Sequence, residues 1–227
     1  MKRTSLFLAV VVLLCAGLSS CNSDNNYDGT PTPLSWVDLG LPSGLLWASQ
    51  NLGALSPVDY GDYFAWGETQ TKESYSWETY TLCDGTKDVM TKYDGTDGTT
   101  LLSEDDAAHA NWGGDWRTPT KDELVELLNE ENCSSVWTEQ NGVYGMLITS
   151  VKNGNTLFLP AAGSCDGDSP SHLGEYGTYW LSTINITQGY LDGAYAIDFT
   201  SESAPREAYY YGGRYVGLPI RPVRSAQ

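Results

Sequence analysis

Lys152-Asn153-Gly154-Asn155 stands between two largely apolar runs, residues 143–151 and 156–160. Asn-Gly is the strongest short-range hairpin signal, because both residues tolerate the positive φ of a tight turn. The chain is therefore expected to fold back on itself here as antiparallel β-structure. Further strands are expected at residues 179–184, 190–199, 206–211 and 217–223. Within the second of these, Tyr195, Ile197 and Phe199 alternate onto one face. Near the start, residues 36–41 and Leu45-Leu46-Trp47-Ala48 flank Pro42-Ser43-Gly44, which predicts a first hairpin. Residues 37–41 are expected to lie close to 217–223 and close the ends of the domain.

Helical signals are fewer. Ser103 precedes Glu104-Asp105-Asp106-Ala107-Ala108, and Ser103 with Asp106 approximates a capping box. Thr120-Lys121-Asp122-Glu123 is a fuller one, following Pro119 and leading into Leu124, Val125, Leu127 and Leu128. That spacing predicts an amphipathic helix of about ten residues. Between the early strands and these helices, residues 59–66 are aromatic and acidic. Residues 70–102 carry the turn signals Asp84-Gly85, Asp94-Gly95 and Asp97-Gly98 and predict a long loop region on one face. The expected class is α+β: two short helices, several short antiparallel strands and long loops.

The first twenty residues belong to processing. Lys2 and Arg3 precede an apolar stretch from Leu6 to Leu18, which is shorter than the roughly 20 residues that span a bilayer. Leu18-Ser19-Ser20-Cys21 resembles a bacterial lipobox, which implies cleavage after residue 20 and lipid on Cys21. The membrane is then a partner through that lipid, since two or more acyl chains give stable anchoring. Residues 21–34 are polar, with Asn, Ser, Asp, Gly, Thr and Pro, and read as a flexible tether. Residues 35–227 are left as a single domain. Asn22 behind the cysteine favours the outer membrane, and Asp24 leans towards the cell surface, with a periplasmic face as the alternative.

Loss of residues 1–20 removes two basic side chains and no acid, taking the net charge from −17 to −19. Such a domain has no electrostatic means of holding a phosphate backbone, so nucleic acid is not an expected partner. Of five cysteines, Cys15 leaves with the signal and Cys21 carries lipid. Cys83, Cys133 and Cys165 remain, so at most one disulfide can form. None of them has CxxC spacing, and His109 and His172 lie far from them in sequence, so no Cys/His metal site is expected. Asp94, Asp97, Glu104, Asp105 and Asp106 offer oxygen ligands of the kind a hard cation takes, but the same residues suit a helix start and acidic turns. No metal and no cofactor is assigned. A carboxylate pair for glycoside cleavage can always be chosen among 29 acids and so carries no weight. No reaction is expected.

Tyr209, Tyr210, Tyr211, Arg214 and Tyr215 surround Gly212-Gly213 and are the candidate ligand-binding residues. Tyr and Arg on a glycine-supported loop make large contacts at small rotamer cost. Consecutive tyrosines on a strand cannot all face one core, so at least one points outward. Alternation places Tyr209, Tyr211 and Tyr215 in one set and Tyr210 in the other. The alternative is that these rings only cover a sheet edge. Arg117, Arg221 and Arg224 are expected to be structural.

The ordered motifs resemble a known family. They run from Val37-Asp38-Leu39-Gly40-Leu41-Pro42-Ser43-Gly44-Leu45-Leu46-Trp47-Ala48 through Asp59-Tyr60-Gly61-Asp62-Tyr63-Phe64-Ala65-Trp66-Gly67-Glu68-Thr69. Asn111-Trp112-Gly113-Gly114-Asp115-Trp116-Arg117-Thr118-Pro119 and Leu157-Phe158-Leu159-Pro160-Ala161-Ala162-Gly163 follow. Tyr179-Trp180-Leu181-Ser182-Thr183 and Gly217-Leu218-Pro219-Ile220-Arg221-Pro222-Val223 close the series. Together they resemble the FISUMP (Fibrobacter succinogenes major paralogous) domain of surface lipoproteins. The resemblance implies a C-type-lectin-like fold whose long loops present a ligand. Calcium-type lectin motifs such as Glu-Pro-Asn and Trp-Asn-Asp do not occur here, and neither does the late cysteine pair of sulfatase-modifying enzymes on that fold. The implied function is adhesion or glycan binding at a surface. A structural or protein-interaction part of an envelope assembly is the alternative, and an enzyme the third reading. The implied partners are a glycan or a surface protein.

Overall fold

The computed structural model describes residues 35–184, 191–210 and 213–226, with the backbone alone for 208–210. Residues 1–34, including Cys21, and Tyr211 lie outside them. Strands β1 (Trp36–Asp38) and β2 (Leu46–Ala48) form the first hairpin. Helices α1 (Ala107–Trp112) and α2 (Lys121–Leu128) come next. Then follow β3 (Cys133–Gln140), β4 (Val143–Ser150), β5 (Thr156–Pro160), β6 (Ser164–Cys165) and β7 (Pro170–Ser171). The chain continues with β8 (Tyr176–Ile184), β9 (Ala194–Thr200), β10 (Ser203–Tyr210) and β11 (Val223–Arg224). Every sheet is antiparallel and small, in the orders β1-β2-β11, β3-β4-β5, β8-β9-β10 and β6-β7. The class is α+β with little helix. Among the described residues no helix is long and apolar enough to cross a membrane.

The ends of the domain do share a sheet, but β2 lies between them: Trp47 stands opposite Val37 on one side and Val223 on the other. Residues 217–223 do not form a continuous strand. Pro219 and Pro222 have no N–H to give a ladder, so the segment pairs in single bridges, Leu218 with Phe64 and Gly217 with Cys165. The first helix also starts later than expected. Ser103–Asp105 is a separate 3-10 turn, and Asp106 is the cap of α1, accepting from the N–H groups of Ala108 and His109. At α2 the capping box of Thr120 and Glu123 forms as read, and the helix runs eight residues.

Both Asn-Gly pairs of the β3–β5 sheet are turns, but of different kinds. Asn141 and Gly142 have φ of 51° and 83° and join Gln140 to its partner Val143 as a two-residue turn. Asn153-Gly154 sits in a longer connection, where Ser150 N–H bonds the Asn155 carbonyl. The sheet β8-β9-β10 is central. Its odd-numbered residues Tyr179, Leu181, Ile197 and Phe199 enter one core with Leu124 and Leu127 of α2, Met146, Ile148, Leu157, Leu159 and Trp47. Trp180, Ala194 and Ala196 on the other face enter a second core with Phe64, Trp66, Tyr93 and Leu218. Tyr195, Ile197 and Phe199 do share a face, and the opposite face is buried too, so β8 and β9 are interior strands. Cys83, Cys133 and Cys165 are buried free thiols.

Candidate functional site

The loop region is longer than 70–102: no helix or regular strand occurs from residue 49 to 102. Irregular backbone leaves N–H and C=O groups that no ladder satisfies. Here aromatic side chains satisfy many of them. The Trp66 indole N–H donates to the Leu181 carbonyl at 2.8 Å, and that of Trp180 to Phe64 at 2.9 Å. Tyr80 donates to the Trp66 carbonyl and Tyr63 to Ala162. The Tyr93 hydroxyl accepts from Leu102 N–H and donates to Asp105. A small third core joins Ala65, Tyr75, Tyr80 and Cys83 of this region to Cys165 of β6.

Arg214 belongs to this interior. It is 0 % exposed, with its guanidinium 5.4 Å from the Trp66 ring centre and 5.9 Å from that of Tyr80. It reaches the Tyr93 and Lys92 carbonyls at 3.4 and 3.5 Å. Arg214, expected as a ligand contact, is enclosed here, where the aromatic faces accommodate a planar, weakly hydrated cation. Tyr215 is half-buried beside Trp77, with ring centres 4.9 Å apart, and its hydroxyl donates to Asp166 at 3.3 Å. The β10 backbone places Tyr209 opposite Tyr195 and Tyr210 opposite Ala194. The side chains of Tyr209 and Tyr210, and all of Tyr211, lie outside the described residues, so the expected alternation of these rings does too. Arg117 pairs with Glu123, and Arg221 is fully buried against Asn51 and the Ala48 and Ser49 carbonyls, as structural residues do.

A cavity of about 670 Å³ opens on the loop face, lined by residues 67–74, Thr79, Thr81, Leu82, Glu104 and Asp105. Its charges are mutually engaged. Glu68 accepts from Thr81 N–H and hydroxyl at 2.7 and 2.9 Å and pairs with Lys72, whose ammonium lies over the Tyr75 and Tyr80 rings. Lys92 pairs with Asp105 at 2.5 Å, and this hydrogen bond raises its pKa above the usual lysine value. The acids considered as cation ligands have local partners. Asp94 accepts from Thr96, Asp97 from Tyr93 N–H, and Asp106 from the α1 backbone and from Thr118. Among the described residues no three His, Cys, Asp or Glu side chains are grouped for a metal.

A second surface was not read from the sequence. At the far end of the sheets, the β3–β4 turn, the start of β8 and the β9–β10 turn surround a groove of about 560 Å³. Trp137, Tyr144, Gly174, Glu175, Tyr176, Thr200, Ser201 and Glu202 line it. The signal that would have found it is Asn141-Gly142. Taken as a two-residue turn, it pairs residues 133–140 with 143–150 and puts Trp137 and Tyr144 on one face of neighbouring strands. Comparison with protein-family models, with curated proteins and with solved structures yields no match to this chain.

Proposed function

We propose that this chain is a lipid-anchored envelope protein whose domain, of C-type-lectin-like and FISUMP type, is a non-enzymatic recognition or adhesion module that captures a glycan or a surface protein through its loop face. The observation that carries the reading is the construction of residues 49–102. They have no regular elements, yet Trp66, Tyr80, Tyr93 and Arg214 fix them from inside. A surface of irregular loops held by a rigid interior is already ordered before a partner arrives, which lowers the entropic cost of binding. The candidate contacts are the tyrosines of the late segment, Tyr209, Tyr210, Tyr211 and Tyr215. The lipobox at residues 18–21 and the polar stretch to residue 34 support the anchor on Cys21, at the outer membrane and facing the cell surface.

The test uses the full chain in detergent, screened against a glycan array and against envelope proteins. Tyr209→Ala should weaken capture about tenfold, the equivalent of roughly 1.4 kcal/mol, with an unchanged melting temperature, while Tyr215→Ala should weaken it with some loss of stability, since that ring also packs on Trp77. Variants that all lose stability and never lose capture selectively would make the tyrosine segment core. Capture of envelope proteins alone would turn the reading to a structural part of an envelope assembly. Acyl mass on Cys21, abolished in Cys21→Ala, checks the anchor.

A further inference from the structure

We propose that the groove at the hairpin end is a second binding site, for a neutral pyranose oligosaccharide. It is distinct from the loop face and does not depend on the tyrosine segment. Strand β10 separates the two: Ser203 starts it beside the groove and Tyr210 ends it towards the loops, about 23 Å away at strand spacing.

The groove has a built aromatic floor. The Trp137 and Tyr144 rings are nearly parallel, 9° apart in plane and 6.2 Å between centres. Phe199 meets Trp137 edge-on from the core at 6.4 Å and 66°, so the indole is braced from below. Gly177 makes room for that brace, since a side chain there would occupy the space of the Phe199 ring. Tyr144 and Tyr176 are 46 % and 43 % exposed. Large rings held on a packed base and left open to solvent are surfaces for a flat apolar partner.

The rim selects what that partner carries. Glu175, Glu202, Thr200 and Ser201 supply oxygens. Both ionisable carboxyl groups are acids, and no Lys or Arg lines the groove. A ligand must therefore bring hydrogen-bond donors around an apolar face and no negative charge. A pyranose does this: its C–H face lies against a ring whose π-surface is electron-rich, and its hydroxyls donate to carboxylates as charge-assisted bonds. An acidic sugar would meet like charge from Glu175 and Glu202 in a chain of net charge −17. The volume is in the usual range for small-ligand sites.

The experiment titrates the full chain in detergent by calorimetry with neutral hexaoses of glucose, mannose, galactose and xylose, and with hexagalacturonate. At least one neutral hexaose should bind. Tyr144→Ala and Tyr176→Ala should each weaken it about tenfold, Val151→Ala, exposed and outside the groove, should leave it unchanged, and hexagalacturonate should give no heat. Melting temperatures of the variants establish that they are folded. Absence of binding by every neutral hexaose overturns the proposal, and so does preferential binding of the galacturonate. A hexaose whose binding is lost in Tyr215→Ala and kept in Tyr144→Ala also overturns it, while leaving the loop-face reading intact. Loss at Tyr144 and Tyr176 alone supports the groove whether or not the loop face binds anything.

Discussion

Residues 49–102 and residues 133–165 are both well packed, but different groups hold them. In the β3–β4 pair eight consecutive residues match eight, Cys133 with Ser150 through to Gln140 with Val143, and the backbone satisfies itself. In the loop region side chains do much of this work: Tyr80 and Tyr93 bond backbone groups at Trp66 and Leu102, and the buried arginines arrive from up to about 170 residues away in the chain, as Arg221 does to Asn51. Two eight-residue strands can form from local sequence and a turn. The loop region has no such local minimum, and its conformation exists only while the whole molecule is assembled around it.

The most severe way to break this contrast is to remove residues 217–227. This segment bridges Phe64 through Leu218, accepts from Leu52 N–H and Trp180 N–H at Ile220 and Pro219, and brings Arg221 to Asn51 and Val223 to Trp47. Its loss takes several fully buried side chains from two cores at once, each worth about 2–5 kcal/mol. That exceeds the stability of an ordinary domain. The truncated chain should show no cooperative melting transition. Hydrogen exchange should find amides of residues 49–102 unprotected, with any residual protection confined to 133–160. An unchanged melting temperature would show that the loop region orders itself, and the contrast would fall.

What the sequence reveals follows the same division. The α2 capping box, the β4–β5 hairpin and the alternation in β9 are short-range patterns, and each is found where the spacing puts it. Asn141-Gly142 was as legible as Asn153-Gly154, but Cys133–Gln140 is an edge strand with few apolar residues, Ser134, Ser135, Thr138 and Glu139 among them, so its alternation is faint. Arg214 is different. Beside three tyrosines and two glycines it reads as a ligand contact, and only the arrival of Trp66 and Tyr80 from far up the chain makes it an interior residue. The same limit applies to the groove, where the β3–β4 hairpin, the start of β8 and the β9–β10 turn meet. Ser103 and Asp106 differ only in which side chain reaches the free amides of α1, a matter of one turn that composition does not resolve.

A smaller but still large effect is expected in alkali. Burial raises the pKa of Tyr75 and Tyr179 to about 12 and pushes Tyr63, Tyr80 and Tyr93 higher still, the last also because its hydroxyl donates to the Asp105 carboxylate. Unfolded tyrosines lose their protons near pH 10. The folded values lie above the unfolded ones, so this stability is complete below about pH 10 and is lost as pH rises towards 12. Tyr80 and Tyr179, fully enclosed, contribute up to about 1.4 kcal/mol per pH unit each in that window, and the other three contribute less because solvent screens them. Arg221 runs the other way, since burial lowers its pKa to about 10, but it is one group against five. Four of the five tyrosines are in the loop region. Tyrosinate absorbance and loss of near-ultraviolet dichroism should therefore rise together between pH 10 and 12. Titration of most tyrosines near pH 10 in a still-folded domain would mean that the loop interior is wet.

The smallest effect is also the most direct comparison, because it sets one surface hydroxyl against another. Thr79 is exposed, yet its hydroxyl accepts from Ser76 N–H at 3.1 Å and lies 2.8 Å from the Ser74 carbonyl, inside the loop region. Ser134 is exposed on the edge strand β3, whose backbone is paired with Thr149 regardless of the side chain. Thr79→Val keeps the branched shape and removes hydrogen bonds that hold a turn, so it should cost about 1 kcal/mol in denaturant unfolding. Ser134→Ala removes a hydroxyl from a ladder that does not need it and should stay within about 0.5 kcal/mol. The two changes are similar in size and both start from solvent, so burial does not distinguish them. If chemical unfolding gives them the same cost, side chains are not what orders the loop face. A cost confined to Thr79 would identify the hydroxyl as one of the fastenings that keep an irregular surface in a single shape.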